Sequence, residues 1–171
     1  MKISLEEKER LENLYQTFLN DPKIQRMKEI PMHRGSNCYE HSFKVAKKAV
    51  HYALRFPSKK LSVETVMLGA ILHDYYLYDW RKDRSKRKRH AVDHEFIASE
   101  NASKDFGISP EVKRIIESHM WPINFKKYPK GRAAKIVSLC DKAVTIGEVF
   151  SSKKHKANKR NKYLERISHL F

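Results

Sequence analysis

Apolar residues recur every three or four positions along most of this chain, the period of helices with one buried face. A first stripe, Leu11, Leu14, Tyr15 and Phe18, predicts a helix over about 5–19, stopped by Asn20-Asp21-Pro22. A short helix over about 23–29 follows, and 31–37 reads as a loop ending in a helix N-cap. The stripe Val45, Ala49, Tyr52 and Phe56 predicts a helix over about 38–55, and Phe56-Pro57-Ser58 ends it. Ser62 and Thr65 stand where a further helix is capped, and its pattern runs to about residue 78. The basic stretch 81–89 reads as a loop, and helices are expected over about 92–106, 110–119 and 133–149. Gly107 reads as a C-cap and Pro110 as a first-turn proline. A basic amphipathic helix over about 157–170 closes an all-α chain with no internal repeat, expected to form one domain over 1–171.

Certain polar residues interrupt these apolar faces. His41 heads the stripe of the 38–55 helix, and Asp74 falls in line with Met67, Ala70, Ile71 and Leu77, with His73 beside it. His94 shares a face with Ile97, Ala98 and Asn101, His119 continues Val112, Ile115 and Ile116, and Asp141 sits among Ile136, Val137, Cys140 and Val144. Five helices thus each carry a titratable group on or beside the face to be buried. An unpaired buried carboxylate costs several kcal/mol, and a buried imidazole requires a partner. Taken singly, each histidine reads as an ordinary core or surface residue. Taken together, the set points to a shared cation.

Four imidazoles and two carboxylates suit a first-row transition metal (Fe, Mn, Zn, Co or Ni) better than Mg or Ca. Six protein ligands exceed what one catalytic ion with open positions requires, which favours two divalent ions bridged by a carboxylate. Neighbouring helical residues diverge by about 100°, so His73 and Asp74 can reach different sides of one site. His90, in the basic stretch, is the rival of His94, whereas His33, His51, His155 and His169 read as surface residues.

Composition adds compartment and charge. Five glycines and six prolines among 171 residues agree with a helical protein large enough to bury a core. Two cysteines far apart in sequence, Cys38 and Cys140, form no disulfide framework and fit a reducing compartment. No apolar run approaches the roughly 20 residues that span a bilayer. The start Met1-Lys2-Ile3-Ser4-Leu5-Glu6-Glu7-Lys8 is too charged for a signal peptide, so a cytoplasmic protein without a membrane partner is expected. The net charge of +16, concentrated in 81–89 and 153–162, raises the local concentration of anions: nucleotides, phosphorylated metabolites and nucleic acid.

The order His41, His73-Asp74, Asp141 resembles the HD-domain superfamily of metal-dependent phosphohydrolases. His41-Ser42-Phe43-Lys44-Val45-Ala46 is similar to its first ligand helix, and Leu68-Gly69-Ala70-Ile71-Leu72-His73-Asp74 to its signature helix. Ile136-Val137-Ser138-Leu139-Cys140-Asp141-Lys142 is similar to its closing segment. The resemblance covers about 37–148 and implies a helical bundle around a central metal site. It extends to the subgroup with two additional histidines before the last aspartate, here His94 and His119, in which the site is usually dinuclear. Residues 75–80 lack the glycine-containing turn of several such enzymes and the Gly-Tyr-Pro signature of the cyclic-dinucleotide branch.

The resemblance implies a phosphohydrolase acting on a phosphomonoester or phosphodiester, with a nucleotide as the expected substrate, through a metal-activated water. His73 and Asp74 are its catalytic residues, and Asp74 is the bridging ligand. Lys142 and Arg34 are candidates for gripping phosphate, with Arg81 and Lys82 behind them. Tyr76, Tyr78, Trp80 and Trp121 either pack around the site or stack a base. Two other functions share the site: a polynucleotide phosphodiesterase, and a non-catalytic nucleotide-sensing module. A helix-turn-helix DNA-binding protein is disfavoured, because the basic residues do not gather on one recognition helix.

Overall fold

The computed structural model describes residues 3–32, 35–82, 84–150 and 167–170, with the main chain alone over 84–88 and at 168. Among these residues the chain is helical and contains no strand. The helices are α1 (Leu5–Asn20), α2 (Pro22–Gln25), α3 (Cys38–Arg55), α4 (Val63–Leu72), α5 (Arg84–Phe106), α6 (Pro110–Ser118) and α7 (Arg132–Phe150). Short 3-10 turns lie at Arg26–Glu29 and Ser168–Leu170. No described helix is long and apolar enough to cross a membrane.

Local chemistry sets most boundaries. Ser4, Asn37, Ser62 and Ser109 each accept a hydrogen bond from the amide three residues on, satisfying a donor that an N-terminus leaves free. Pro110 occupies the first turn of α6, and Gly107 closes α5 with φ at 60° and its amide on the Ser103 carbonyl. Helix α3 packs between α4 and α7, while α6 lies against α4, α5 and α7. The core between them includes Phe43, Val50, Met67, Ile71, Ile115 and Val137.

Two expectations require correction. The helix carrying His73 and Asp74 ends at Leu72, not near residue 78. Tyr75 and Tyr76 turn into the core, and Asn101 Nδ2 donates to both of their carbonyls at 3.1 and 3.3 Å. Leu77 then takes a positive φ of 55°, which no continuing helix allows. The basic stretch is not a loop throughout: α5 begins at Arg84, since nothing between Arg84 and Phe106 is glycine or proline. The Arg89–Asp93 ion pair, 2.7 Å, spans one turn of this segment. The short second helix is an α turn continued as a 3-10 turn. The 157–170 helix lies outside the described residues except for the turn Ser168–Leu170, and the 153–162 cluster, His33, Arg34 and His155 lie outside them as well.

Candidate metal centre

Five helices deliver the six ligand candidates to one buried point. His41 comes from the first turn of α3, His94 from the middle of α5 and Asp141 from the middle of α7. His73 and His119 occupy equivalent places, the residue that ends α4 and the residue that ends α6. Each donates Nδ1–H to a carbonyl three residues back, Ala70 and Ile116, both at 2.7 Å. A helix C-terminus leaves such carbonyls without a helical partner, so the end of the helix fixes the ring. His94 Nδ1 likewise donates to the His90 carbonyl at 2.6 Å. In all three rings the main chain takes the Nδ1 proton, and Nε2 is left as the donor atom facing the centre.

Asp74 sits between two groups of these nitrogens. Its Oδ2 lies 3.3 Å from His73 Nε2 and 3.9 Å from His41 Nε2. Its Oδ1 lies 3.4 Å from His94 Nε2 and 3.6 Å from His119 Nε2. Asp141 Oδ1 joins the first group, 3.1 Å from His41 Nε2 and 3.7 Å from His73 Nε2. Ligand atoms of three overlapping sets lie within 4.8 Å of one another: His41, His73 and Asp74; His73, His119 and Asp141; Asp74, His94 and His119. His94, not His90, joins the cluster.

The donor set fits a cation. His73 Nε2 is fully buried and makes no hydrogen bond. His94 Nε2 and His119 Nε2 face each other at 3.1 Å, and with both Nδ1 protons committed, two lone pairs meet there unless a positive charge intervenes. In the metal-free chain protons take that part. Burial pulls His41 down, but the hydrogen bonds to Asp141 and Glu148 outweigh it and lift the imidazole to about 9. Burial is likewise outweighed at His73, which the carboxylates of Asp74 and Asp141 lift to about 10, and at His94, which Asp74 lifts. His119 falls to about 3, through burial and the charge on His73. Asp74 and Asp141 stay ionised, far below the usual carboxylate range: burial opposes this and the surrounding imidazoles overcome it.

Glu148, absent from the sequence expectation, completes the centre. Its Oε2 accepts from His41 Nδ1 at 3.0 Å, and its Oε1 accepts from Lys44 at 2.6 Å. A signal for it exists: Val137, Asp141, Val144 and Glu148 form one stripe of α7, so Glu148 lies on the face already identified as buried.

A cavity of about 320 Å³ opens on the centre, with Asp74, His94, His119 and Asp141 in its wall. Its remaining lining is largely apolar, with Met32, Met120, Ile123 and Ile146 beside Tyr76 and Trp80. Lys142 lies on its edge and donates to the His119 carbonyl at 2.6 Å and to Ser138 Oγ at 3.2 Å. Arg81 also borders the cavity, but its guanidinium is committed to the carbonyls of Pro31 and Met32 and lies 4.5 Å from the Trp80 ring. Lys82 pairs with Asp79 at 3.8 Å away from the cavity wall. Of the four aromatic candidates Tyr76 and Trp80 border the cavity, Tyr78 bonds His90 at 3.0 Å, and Trp121 packs edge-on against Tyr128. His90 stacks between Trp80 and His94, centroids 5.0 and 4.6 Å away, as part of the wall.

No curated protein and no solved structure matches the chain. The family model of the HD domain does match, over residues 38–145. That stretch runs from the first residue of α3 into α7 and takes in His41, His73, Asp74, His94, His119 and Asp141, the residues that meet in the centre: the chain belongs to the HD domain family.

Proposed function

We propose that this chain is a metal-dependent phosphohydrolase that cleaves a phosphomonoester or phosphodiester of a nucleotide, with two divalent transition-metal ions as cofactor. The HD domain family includes metal-dependent phosphohydrolases, and its members bind divalent metals. The observation that carries the reading is the division of Asp74, one oxygen toward His41 and His73 and the other toward His94 and His119, beside a cavity. When bound, the ions supply the Lewis acidity that makes water nucleophilic near neutral pH and offsets charge on the phosphoryl oxygens.

The protein's own residues do the rest. His41, His73, Asp74 and Asp141 would hold one ion, and Asp74, His94 and His119 the other. His73 and Asp74 act as the catalytic pair because they touch the reacting centre from one turn of chain. The Lys142 ammonium donates to the His119 carbonyl and Ser138 Oγ and lies 3.6 Å from Asp141 Oδ2 on the cavity edge, where it would turn a donor from Asp141 to a phosphate oxygen. Arg34 keeps its assignment as a second phosphate contact on sequence grounds. The cavity is of small-ligand size, and its apolar wall with Trp80 and Tyr76 suits a nucleobase better than a bare phosphate. We take residues 1–171 as one domain acting in the reducing cytoplasm, where Cys38 and Cys140 remain thiols.

The net charge of +16 favours a second reading, a polynucleotide substrate at the same centre. The test is metal analysis and a panel of nucleotide and simple phosphoesters with the intact chain and Asp74→Ala. Metal uptake and hydrolysis, both lost in the variant, are expected. Metal and activity unchanged in D74A would sink the scheme, and bound metal without hydrolysis of any phosphoester would favour a sensing module. Steep loss of binding with rising salt would favour the polynucleotide, through counterion release.

A further inference from the structure

We propose that Glu148 is a positioning residue for the metal centre: through His41 it fixes the orientation and donor strength of one ligand. The inference rests on the metal-centre reading above and goes beyond the family match, which ends three residues earlier, at 145.

The second partners of the four histidines differ. His73, His94 and His119 each hand Nδ1–H to a main-chain carbonyl, a neutral acceptor. His41 alone hands it to a carboxylate, Glu148 Oε2, at 3.0 Å. A hydrogen bond to an ionised acceptor is roughly twice as strong as one between neutral groups. It also makes the opposite ring nitrogen a better electron donor, which is how a carboxylate behind a ligating histidine raises metal affinity.

The geometry excludes a casual contact. Asp141 and Glu148 stand seven residues apart on one face of α7, and His41 lies between them with Nε2 at 3.1 Å from Asp141 and Nδ1 at 3.0 Å from Glu148. One helix therefore grips both nitrogens of a ring carried by another. Glu148 is buried, and its charge is held in place by Lys44, one turn beyond His41, at 2.6 Å and by Ser36 Oγ at 3.3 Å. Burial works against this carboxylate, yet the bond from His41 and the Lys44 ammonium hold it ionised, down to about 2. Lys44 and Ser36 are the supports, and the His41 ring is the group they aim at.

The rival explanation is that Glu148 only ties α7 to α3 through Lys44. Cobalt(II) is a suitable probe, because its absorption reports ligand geometry and its affinity can be read by competition with a chromophoric chelator, neither of which requires turnover. In the full chain E148Q keeps the shape of the side chain and removes its charge. K44M removes the ion pair between the helices without touching His41. We expect E148Q to lower cobalt affinity about 10- to 100-fold and to shift the visible bands. K44M should lower affinity by a smaller factor than E148Q and leave the bands in place, because the hydrogen bond between His41 and Glu148 survives it. If E148Q loses its helical signal, E148D, which keeps the charge but withdraws it by one methylene, is expected to lose affinity in the same direction. Equal affinity and spectra for E148Q and the parent chain would overturn the proposal, as would equal losses in E148Q and K44M. Failure of the parent chain to take up cobalt would instead overturn the metal centre itself, and Glu148 with it.

Discussion

The Nε2 atoms of His41 and His73 are ligand atoms only when they carry no proton, and in the metal-free chain both rings hold one at neutral pH. Their folded values, about 9 and about 10, lie above the ordinary histidine value because the carboxylates beside them outweigh burial. A raised value means protonation below it and release above it, so metal and proton compete, and apparent metal affinity climbs as pH rises toward 9–10. Uptake at pH 7 should release about two protons from these two rings. Calorimetric titration in buffers of different ionisation enthalpy measures this, and a heat independent of buffer would show that the two imidazoles are already bare. The six ligand candidates were legible in the sequence because each breaks an apolar stripe. Glu148 continues the stripe of Asp141 and Val144, but a glutamate near a helix end is ordinarily solvated, so the stripe alone does not single it out and its contact with His41 does. Lys142 was legible as a neighbour of Asp141, whereas the diversion of Arg81 to the Pro31 and Met32 carbonyls depends on a fold that brings residues about fifty apart together.

At the scale of elements, the crossing of α4 over α6 sets how closely the His73 and His119 ends approach. Gly69 makes that crossing possible: a Cβ built there would lie 2.7 Å from Cγ2 and 3.1 Å from Cβ of the buried Ile115, so more than a flexible chain end would have to shift. Gly69→Ala gains up to about 1 kcal/mol of helix propensity, against an overpacking cost of about 1–3 kcal/mol. With the full propensity gain, a net destabilisation of up to roughly 2 kcal/mol follows, a fall of several degrees in Tm for a chain of this size. It should come with weaker metal binding, since the helix ends that aim two rings are pushed apart. An unchanged or raised Tm would mean that α6 yields without cost. Helix boundaries were legible where punctuation is local, at Asn37, Ser62, Gly107 and Pro110. They were not legible where distant contacts decide. The main chain leaves the helix after Leu72 because Asn101, on α5, takes the carbonyls of Tyr75 and Tyr76. The basic run from Arg84 is helical because it continues into the packed half of α5, although its repeated positive charge argues for a loop.

For the molecule as a whole, the ligand candidates come from α3, α4, α5, α6 and α7, so an ion held among them would bridge most of the bundle. Unfolding any of these helices separates the ligands, and the binding energy therefore adds to global stability. An ion that binds only the folded chain stabilises it by about 4 kcal/mol when its concentration is a thousand times its Kd. At roughly 2–4 °C per kcal/mol for a domain of this length, saturating metal should raise Tm by roughly 8–16 °C, and a chelator should reverse the rise. The buried carboxylates make the effect specific. Asp74, Asp141 and Glu148 remain ionised, balanced by protonated imidazoles, and an ion bound there would replace protons in a centre already built. Its effect should therefore appear in Tm with little change in helical content, unlike the folding of a small zinc-dependent domain. D74A, which removes the carboxylate both halves share, should lose the metal-dependent rise. Thermal unfolding followed by circular dichroism, with metal, with chelator and in D74A, measures all three. A chain unfolded in chelator would show that the ion builds the bundle, and a Tm indifferent to metal would show that no ion binds among these residues.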